Sequence, residues 1–289
     1  MSPDVKTFFD EATNNATHVV RDPDSSACAL IDTVLGFDLA AGKISTEPAD
    51  RVISYVKDEG LSVAWILETH VHADHLTAAP YVKERLGGHM GIGAGVTLVQ
   101  ETFGAIYNVE GGFVRDGSQF DHLFEEDEEF RIGNLEARVI HTPGHTPACV
   151  TYAIGNAAFS GDTFFMPDSG TARCDFPGGS ATQLYQSLKK ILSLPPDTRL
   201  FINHDYGAGG SRDFAWETTV AEQAANNIHV GGGTAEDDFV AMREERDATL
   251  SVPRLILPAI QVNMRAGHLP PPEDNGTQYL KIPLNLFGG

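Results

Sequence analysis

The sequence predicts an α+β fold, a four-layer αββα sandwich in which helices cover the outer faces of two packed β-sheets. Two observations predict it. Segments with the periodicity of strands and of helices alternate in both halves of the chain. Turn residues between neighbouring strands predict antiparallel hairpins, which exclude a simple doubly wound parallel sheet. Two packed sheets with helices outside them satisfy both observations.

Three strand-like segments open the chain, and a helix and a further strand follow. The three strands are predicted at residues 6–9, 16–21 and 27–32. The sequence D-P-D-S at 22–25 is typical of a turn, so the second and third strands should form a hairpin. The helix should begin after Ser45 or Thr46 as its N-cap and end before Gly60. An apolar strand is predicted next, at 62–69.

The same patterns predict the remaining elements. Helices are predicted at 75–86, 97–107, 181–194, 217–229 and 235–249. Strands are predicted at 90–93, 135–140, 149–154, 156–160 and 199–203, and extended runs at 254–262 and 278–284. The acidic stretch 125–129 is interpreted as a solvated turn, because it lacks the carboxylate spacing and the glycine of an EF-hand.

A dense group of metal-binding side chains follows the strand at 62–69. Residues 69–75, T-H-V-H-A-D-H, include His70, His72, Asp74 and His75. Imidazole and carboxylate groups are common ligands of divalent metal ions. Histidines this close together would repel one another when protonated, unless a cation kept them neutral. A metal site is therefore a better interpretation of this segment than a solvated polar turn.

Three further candidate ligands also stand at the ends of apolar strands. They are His145 in H-T-P-G-H-T, Asp162 in F-S-G-D-T and His204 in F-I-N-H-D-Y. Each of these residues alone would more often cap a strand or form a local hydrogen bond. Four strand ends that all supply histidine or aspartate favour one shared metal site.

Composition and charge narrow the classes of function. The chain has 289 residues, of which 42% are hydrophobic and 21% charged, as in soluble globular proteins. We expect a single domain over 1–289, with 207–289 as a C-terminal extension packed on it. The net charge of −20 argues against nucleic acid or an anionic membrane as a partner, because both need a basic surface.

The location is predicted from the cysteines and from the absence of targeting segments. No apolar run is long enough to span a membrane, and no secretory signal is recognisable. Cys28, Cys149 and Cys174 are odd in number and form no C-x-x-C pair, which argues against a disulfide framework and a zinc ribbon. We therefore expect a cytoplasmic protein, with Cys28 and Cys149 in the core because both fall on predicted strands.

Four motifs in this order resemble the metallo-β-lactamase superfamily. They are T-H-x-H-x-D-H at 69–75, P-G-H-T at 143–146, S-G-D-T at 160–163 and N-H-D-Y at 203–206. The resemblance implies the αββα metallo-β-lactamase fold over roughly residues 15–206. In dinuclear members similar to glyoxalase II, it would place one metal on His70, His72 and His145. It would place a second metal on Asp74, His75 and His204, with Asp162 bridging the two.

The chain resembles one branch of this superfamily more closely, the persulfide dioxygenases related to the ethylmalonic encephalopathy protein. Bacterial members are also called β-lactamase-like hydrolases. The shared segments are 68–76, 141–149, 166–176, 261–265 and 269–273, which together span nearly the whole chain. The resemblance implies one Fe(II) per chain on His70, His145 and Asp162, a facial triad with three open positions. Iron rather than zinc rests on this resemblance alone.

The branch implies a reaction, a substrate and roles for the other polar residues. Its reaction is the oxidation of glutathione persulfide by O2 to sulfite and glutathione. The residues left as catalytic candidates, which would orient ligands or carry protons, are His72, Asp74, His75 and His204. Homodimers are common in the family and in general, so a homodimer is expected.

The substrate pocket should hold positive charge, because glutathione carries two carboxylates and the chain is strongly acidic. Arg173 and Arg265 are the candidates for this charge, although each could equally belong to an ordinary surface ion pair. Cys174 and Tyr206 are further candidates for the pocket lining. No activating base is identifiable for Cys174, so it is not interpreted as a nucleophile.

Two other functions are compatible with the motifs. One is a dinuclear zinc hydrolase similar to glyoxalase II, which would attack a glutathione thioester with a metal-bound hydroxide. The chain shows no obvious match to the C-terminal helical domain of that enzyme, and residues 166–176 favour the dioxygenase. The other is a metal-dependent redox sensor or scaffold, which would need only four ligands in a closed site.

Overall fold

The computed structural model describes residues 1–286, and its strands form two six-stranded sheets and one small sheet. The N-terminal half contains β1 (Asp4–Asp10), β2 (Asn15–Arg21), β3 (Ala27–Ile31), β4 (Val34–Asp38), β5 (Lys43–Ser45), α1 (Glu47–Asp58), β6 (Ser62–Leu67), β7 (Leu76–Thr77), α2 (Ala79–Leu86), β8 (His89–Gly93), α3 (Val96–Ile106) and β9 (His122–Phe124). The second half begins with β10 (Glu129–Ile132), β11 (Leu135–His141), β12 (Val150–Ile154), β13 (Ala157–Phe159), α4 (Ala181–Leu192) and β14 (Arg199–Phe201). It ends with the short turn α5 (Gly207–Gly210), β15 (Glu217–Thr219), α6 (Val220–Asn226), a 3₁₀ turn (Gly231–Gly233), α7 (Glu236–Asp247) and α8 (Ile256–Asn263).

Each large sheet is built from one half of the chain. The first has the order β1-β2-β3-β6-β8-β9 and the second the order β10-β11-β12-β13-β14-β15. Strands β3, β6, β8 and β9 run parallel, whereas β1 to β3 form antiparallel hairpins. In the second sheet only β13 and β14 are parallel. A small sheet, β5-β4-β7, lies beside them.

Three apolar layers hold the two sheets and the helices together. Alternate residues of a strand point to opposite faces, so neighbours such as Val19 and Val20 enter different layers. The first layer joins the first sheet to α1, α2, α3 and α8. The second lies between the sheets, and the third joins the second sheet to α4 and α7. Helices therefore cover the outer faces of both sheets, which confirms the predicted four-layer sandwich.

Residues 207–286 pack on both outer layers. Phe239 of α7 is buried against α4, whereas Ile256 and Ile260 of α8 are buried in the layer outside the first sheet. The last three residues of the predicted domain, 287–289, lie outside the described residues. Within residues 1–286, no helix is both long and apolar enough to cross a membrane.

Most predicted elements are confirmed, but those near the C-terminus and after the metal motif differ. The run 254–262 was predicted to be extended, but most of it forms α8. The helix tolerates Pro258 because this residue lies in the first turn, where the missing N–H is not needed. This helix is buried on nearly every side, so it lacks the periodicity of an amphipathic helix. The extended run 278–284 forms no strand.

Two helices also begin later than predicted. The helix predicted from His75 begins at Ala79, because Asn263 donates hydrogen bonds to the carbonyl groups of His72 and His75 and holds that segment as a loop. The helix predicted at 217–229 begins at Val220, because residues 217–219 pair with β14 as strand β15.

Candidate metal centre

The predicted ligands meet at one edge of the sandwich. The segment that carries His70, His72, Asp74 and His75 follows the carboxyl end of β6 in the first sheet. The others come from the second sheet. His145 lies in the loop between β11 and β12, Asp162 follows β13, and His204 follows β14. The site is therefore shared between the two sheets.

His70, His145 and Asp162 form one compact group. Their ligand atoms lie within 4.8 Å of one another, and all three residues are buried. The Oδ2 atom of Asp162 lies 3.8 Å from Nε2 of His70 and 3.6 Å from Nε2 of His145. These separations are too long for hydrogen bonds and leave room between the three atoms for an ion.

Hydrogen bonds at the far nitrogen of each ring prepare the two histidines to bind a metal. His145 donates from Nδ1 to the carbonyl oxygen of Arg173 at 2.7 Å. The Thr69 hydroxyl donates to Asp32 at 2.8 Å, so it accepts from Nδ1 of His70 at 3.0 Å. With both protons on Nδ1, the Nε2 lone pairs face the centre of the group. Burial lowers the pKa of His70 well below its ordinary value, and the neighbouring His72 and His145 lower it further. The ring therefore stays neutral.

The second group consists of His72, Asp74, His75 and His204, whose ligand atoms also lie within 4.8 Å of one another. Oδ2 of Asp74 is 3.1 Å from Nε2 of His204 and 3.5 Å from Nδ1 of His75. Nε2 of His204 is also 3.5 Å from Oδ1 of Asp162, so the two groups are adjacent. His204 donates from Nδ1 to the carbonyl oxygen of Asn14 at 3.0 Å.

Several buried polar atoms of this region have no hydrogen-bond partner. They include Nε2 of His70, both ring nitrogens of His75, Oδ2 of Asp74, Oδ1 of Asp162 and Nε2 of His204. Leaving such atoms unpaired in the interior is costly. Burial alone would lower the pKa of His204, but Asp162 and Asp74 outweigh it and raise the pKa. The donor set therefore fits a bound cation, and imidazole with carboxylate suits a divalent transition metal.

His72 is oriented differently from the other histidines. Its Nε2 lies 3.0 Å from Asp32 and 3.3 Å from Glu68, and all three side chains are buried. Burial opposes a charge on this ring, but the two carboxylates raise its pKa well above the ordinary value. The structure thus brings His70 and His145 together with Asp162, while one nitrogen of His72 is occupied by Asp32 and Glu68.

A glycine precedes two of the three candidate ligands from the second sheet. Gly144 has a φ of +141°, and a Cβ atom there would lie 2.3 Å from the backbone nitrogen of Leu184. Gly161 has a φ of +53°, and a Cβ atom there would lie 2.5 Å from Oγ1 of Thr69. Only glycine fits both the backbone angle and the space. The loops can therefore approach α4 and Thr69, which follows β6, closely enough to present His145 and Asp162.

A cavity of about 690 Å³ opens beside the metal-binding groups. Its wall includes Asp74, His145, Asp162 and His204, and also residues from the loop before α4 and from the segment 246–254. This volume is in the range of small-molecule sites.

The four predicted pocket residues are placed differently. Arg173 and Tyr206 line the cavity, whereas Arg265 and Cys174 are not among its lining residues. Arg173 forms a bidentate ion pair with Asp175, and Arg265 forms one with Glu110. Burial and the nearby Asp247 raise the pKa of Cys174, so its thiol stays protonated. Cys28 and Cys149 are buried, as predicted.

Sequence reasoning missed the residues that support the ligands. Asp32 directly follows the apolar strand β3, as the predicted ligands follow theirs, and this position was a usable signal. Asn263 lies within the shared segment 261–265, but its contact with the metal motif joins residues nearly two hundred positions apart. Such a contact has no local sequence signal.

Comparison with known proteins gives both close and distant relatives. The sequence model of the metallo-beta-lactamase superfamily matches residues 12–204. A probable metallo-hydrolase of Burkholderia pseudomallei is 53% identical, over 98% of this chain and 99% of that protein. Glyoxylase B2 of Dictyostelium discoideum is 53% identical, over 93% of this chain and 92% of that protein. A beta-lactamase hydrolase-like protein of Agrobacterium fabrum is 55% identical over 99% of this chain, which spans 66% of that longer protein.

More distant relatives carry a different name. The mitochondrial persulfide dioxygenase ETHE1 of Homo sapiens is 27% identical, over 91% of this chain and 88% of that protein. The crystal structure of ETHE1 from Myxococcus xanthus matches with a TM-score of 0.73 and 28% identity, over 92% of this chain and 100% of that one. The relatives with about half of their residues identical thus have hydrolase or glyoxylase names, and those below 30% have the dioxygenase name.

Proposed function

This chain belongs to the metallo-beta-lactamase superfamily, and we propose that it is a mononuclear Fe(II) persulfide dioxygenase. It would oxidise glutathione persulfide with O2 and water to sulfite and glutathione. The proposal assigns one iron per chain to His70, His145 and Asp162. The cytoplasmic location and the homodimer expected from the sequence are part of the same proposal.

One observation carries this proposal, the compact group of two imidazoles and one carboxylate that opens onto a cavity. A metal held by only three protein ligands keeps positions free for substrates. Iron in such a site would supply a place where the persulfide sulfur and O2 meet, together with the redox chemistry that joins them. Relatives named persulfide dioxygenase over about nine-tenths of the chain support the choice of reaction.

The residues around this group have roles that follow from their contacts. Asp32, acting through Thr69, and the carbonyl oxygen of Arg173 fix the orientation and the tautomer of His70 and His145. As metal ligands, two neutral imidazoles and one carboxylate would contribute one negative charge in total.

His204 and Asp74 lie on the cavity wall next to Asp162. Formation of sulfite from a persulfide, O2 and water releases protons. An imidazole beside a carboxylate is suited to accept such protons and pass them towards solvent. We propose this role for His204, with Asp74 holding its ring in place.

A second function, a dinuclear zinc hydrolase similar to glyoxalase II, is favoured by a different observation. His72, Asp74, His75 and His204 form a second possible ligand group next to the first. Relatives with 53% identity carry hydrolase and glyoxylase names. In the dinuclear assignment His72 would bind through Nδ1, which is buried without a hydrogen-bond partner, because its Nε2 faces Asp32 and Glu68.

Metal analysis and oxygen uptake on the freshly purified protein distinguish the two functions. The dioxygenase should contain one iron per chain and consume O2 when glutathione persulfide is added, with sulfite as product. Two zinc ions per chain, together with hydrolysis of a glutathione thioester and no O2 uptake, would establish the hydrolase instead. The iron-free protein, prepared with a chelator, is the control for both assays.

A further inference from the structure

Two loops meet at the rim of the metal cavity, and one arginine joins them. The first loop, 205–212, directly follows the histidine of the N-H-D-Y motif, and the second, 165–170, follows the aspartate of the S-G-D-T motif. Both loops contribute to the wall of the cavity. Arg212 pairs with Asp205 of its own loop and with Asp168 of the other. A single guanidinium group thus connects the two loops.

The guanidinium group of Arg212 is engaged at every N–H. It binds both oxygens of Asp168, at 2.6 and 2.7 Å, and both oxygens of Asp205, at 2.6 and 2.8 Å. The remaining N–H donates to the carbonyl oxygen of Asp213 at 2.9 Å. Asp205 is buried, whereas Asp168 is exposed. Two bidentate pairs on one planar group fix its orientation on both sides. We call Arg212, Asp168 and Asp205 the latch.

The two loops differ in how firmly the rest of the chain holds them. The second loop is tied to α6, because Gln223 donates to the carbonyl oxygen of Phe165 at 2.8 Å. The hydrogen bonds of 207–210, by contrast, reach no further along the described chain than Tyr206 and Arg212. All four residues of this segment have positive φ values, and one of them is an alanine, for which such a backbone is unfavourable. The latch therefore ties a loosely held loop to a firmly held one.

The latch lies beside aromatic side chains of the proposed reaction site. The ring of Phe165 meets the rings of His204 and Tyr206 edge-on, with centroid distances of 6.3 and 5.9 Å. The His204 and Tyr206 rings are nearly parallel, at an angle of 14° and a centroid distance of 6.4 Å. Phe165 belongs to the firmly held loop, whereas His204 and Tyr206 stand where the other loop begins. Without the latch, that loop could move away from Phe165 and take the His204 ring with it.

We infer that Arg212 is a positioning residue, which latches the loop after His204 onto the loop after Asp162 and thereby holds the His204 ring at the metal centre. The inference rests on the proposed function only for the role of His204 as a proton carrier. Arg212 is not among the residues that line the cavity, so its effect passes through His204 rather than through the substrate. A displaced ring transfers protons more slowly, so loss of the latch should lower kcat rather than weaken substrate binding.

Asp168→Ala tests the latch, because it breaks the pair between the loops and leaves the buried Asp205 paired with Arg212. Iron content should stay at the wild-type level, and kcat for O2 uptake with glutathione persulfide should fall about five- to tenfold. KM should not rise, because the variant removes a negative charge from the cavity wall. Amide hydrogen exchange of the peptide 205–214, followed by mass spectrometry, should be about threefold faster or more. Asp168→Glu keeps the carboxylate and should recover part of kcat.

Glu217→Ala is the matched control. Glu217 pairs with Arg199 through both carboxylate oxygens, and the two side chains are 43% and 28% exposed, against 42% and 27% for Asp168 and Arg212. Neither Glu217 nor Arg199 lines the cavity. Both alanine variants should lower Tm by similar small amounts, but Glu217→Ala should keep the wild-type kcat and the wild-type exchange of 205–214. An equal loss of kcat in the two variants would overturn the positioning role. Unchanged kcat or unchanged exchange in Asp168→Ala, or a loss seen only as a higher KM, would overturn it as well.

The choice of reaction separates this inference from the proposed function. If the wild type consumes no O2 but hydrolyses a glutathione thioester, the dioxygenase proposal fails. A lower kcat for the thioester in Asp168→Ala, with faster exchange of 205–214, would then still support the latch. If O2 uptake occurs and Asp168→Ala keeps the wild-type kcat, the dioxygenase stands and the latch is wrong.

Discussion

Asp32 is the residue that connects the metal motif to the rest of the first sheet. It accepts hydrogen bonds from the backbone N–H and the hydroxyl of Thr69, and it lies 3.0 Å from Nε2 of His72. Burial would raise the pKa of Asp32, but His72 and Thr69 outweigh it and lower the pKa. The carboxylate is thus charged and buried, and both of its oxygens are hydrogen-bonded. One side chain therefore sets the orientation of two histidines.

Replacing Asp32 by alanine should weaken metal binding without removing a ligand. The loss of an outer hydrogen bond to a metal-binding histidine typically costs about ten- to a hundredfold in affinity. Competition with a chelator of known affinity measures this change. Asp38→Ala, an exposed aspartate of β4, is the control and should bind metal like the wild type. Unchanged affinity in Asp32→Ala would show that Thr69 and His70 keep their orientation by other means.

Asp162 and His204 should respond differently to replacement. Asp162→Ala removes the carboxylate of the proposed triad, so metal content and O2 uptake should both be abolished. His204→Ala should retain much of the iron and lose turnover by roughly a hundredfold, as expected for a proton carrier. Iron counted per chain and the rate of O2 uptake are the two measurements. Full iron occupancy in Asp162→Ala would contradict the ligand assignment, and complete metal loss in His204→Ala would favour a dinuclear site.

At this scale the sequence predicted the centre of the site better than its surroundings. All seven predicted His and Asp residues of the motifs lie together at one edge of the fold. Their spacing is local and follows strands that the apolar pattern reveals. Arg265 shows the limit, because its partner Glu110 is 155 positions away. Which arginines are left unpaired depends on such distant contacts.

Helix α7 anchors the loop that supports His145. The buried Arg243 pairs with Asp247 and donates to the carbonyl oxygen of Thr171 at 3.1 Å. Asp247 also accepts from the backbone N–H of Cys174 at 2.7 Å. Thr171 and Cys174 flank the segment whose Arg173 carbonyl group holds His145. An ion pair on one helix therefore fixes the backbone next to a proposed ligand.

Arg243→Ala should destabilise the protein strongly, because it leaves Asp247 buried and unpaired. Breaking a buried pair in this way costs about 3–5 kcal/mol. Urea unfolding followed by circular dichroism measures the free energy of unfolding. Arg246→Ala, three residues along the same helix and exposed, should change it by less than about 0.5 kcal/mol. Similar unfolding free energies for the two variants would show that the buried pair contributes little.

Predictability also differs among the elements. Strands β2, β3 and β6 were predicted because they are short apolar runs bounded by turn residues. Helix α8 was not, because burial on nearly all sides removes the polar face that identifies a helix. The short strands β4, β5 and β9 were also missed, since Gly36 interrupts β4, and β5 and β9 contain only one and two apolar residues.

Two buried histidines outside the metal centre should make the whole molecule sensitive to acid. His18 of β2 is within hydrogen-bonding distance of the carbonyl oxygen of Ile202 in the second sheet, and His229 accepts from the backbone N–H of Thr171. Burial lowers the pKa of each to about 4, and Arg243 and Arg246 contribute at His229. The unfolded chain, with an ordinary pKa of about 6.5, then binds more protons than the folded one between these values.

Stability should therefore be greatest above about pH 7 and should fall as the pH drops from 6.5 towards 4. Each histidine contributes at most about 1.4 kcal/mol per pH unit in this window. Thermal unfolding at pH 7.5, 6.0 and 5.0 measures the decline. The variant His18→Gln, which cannot gain this proton, should show a shallower decline than the wild type. Parallel curves for the two proteins would mean that His18 does not contribute to the acid sensitivity.

The division of the site between the two sheets has a mechanical consequence. His70 belongs to one half of the chain, whereas His145 and Asp162 belong to the other, so a bound ion would cross-link the halves. By thermodynamic linkage, the ion would oppose separation of the sheets, and separation of the sheets would release the ion. On gentle heating, a small shear between the sheets would distort coordination before either sheet lost its hydrogen bonds. Inactivation would then precede unfolding, and added metal ion would delay both.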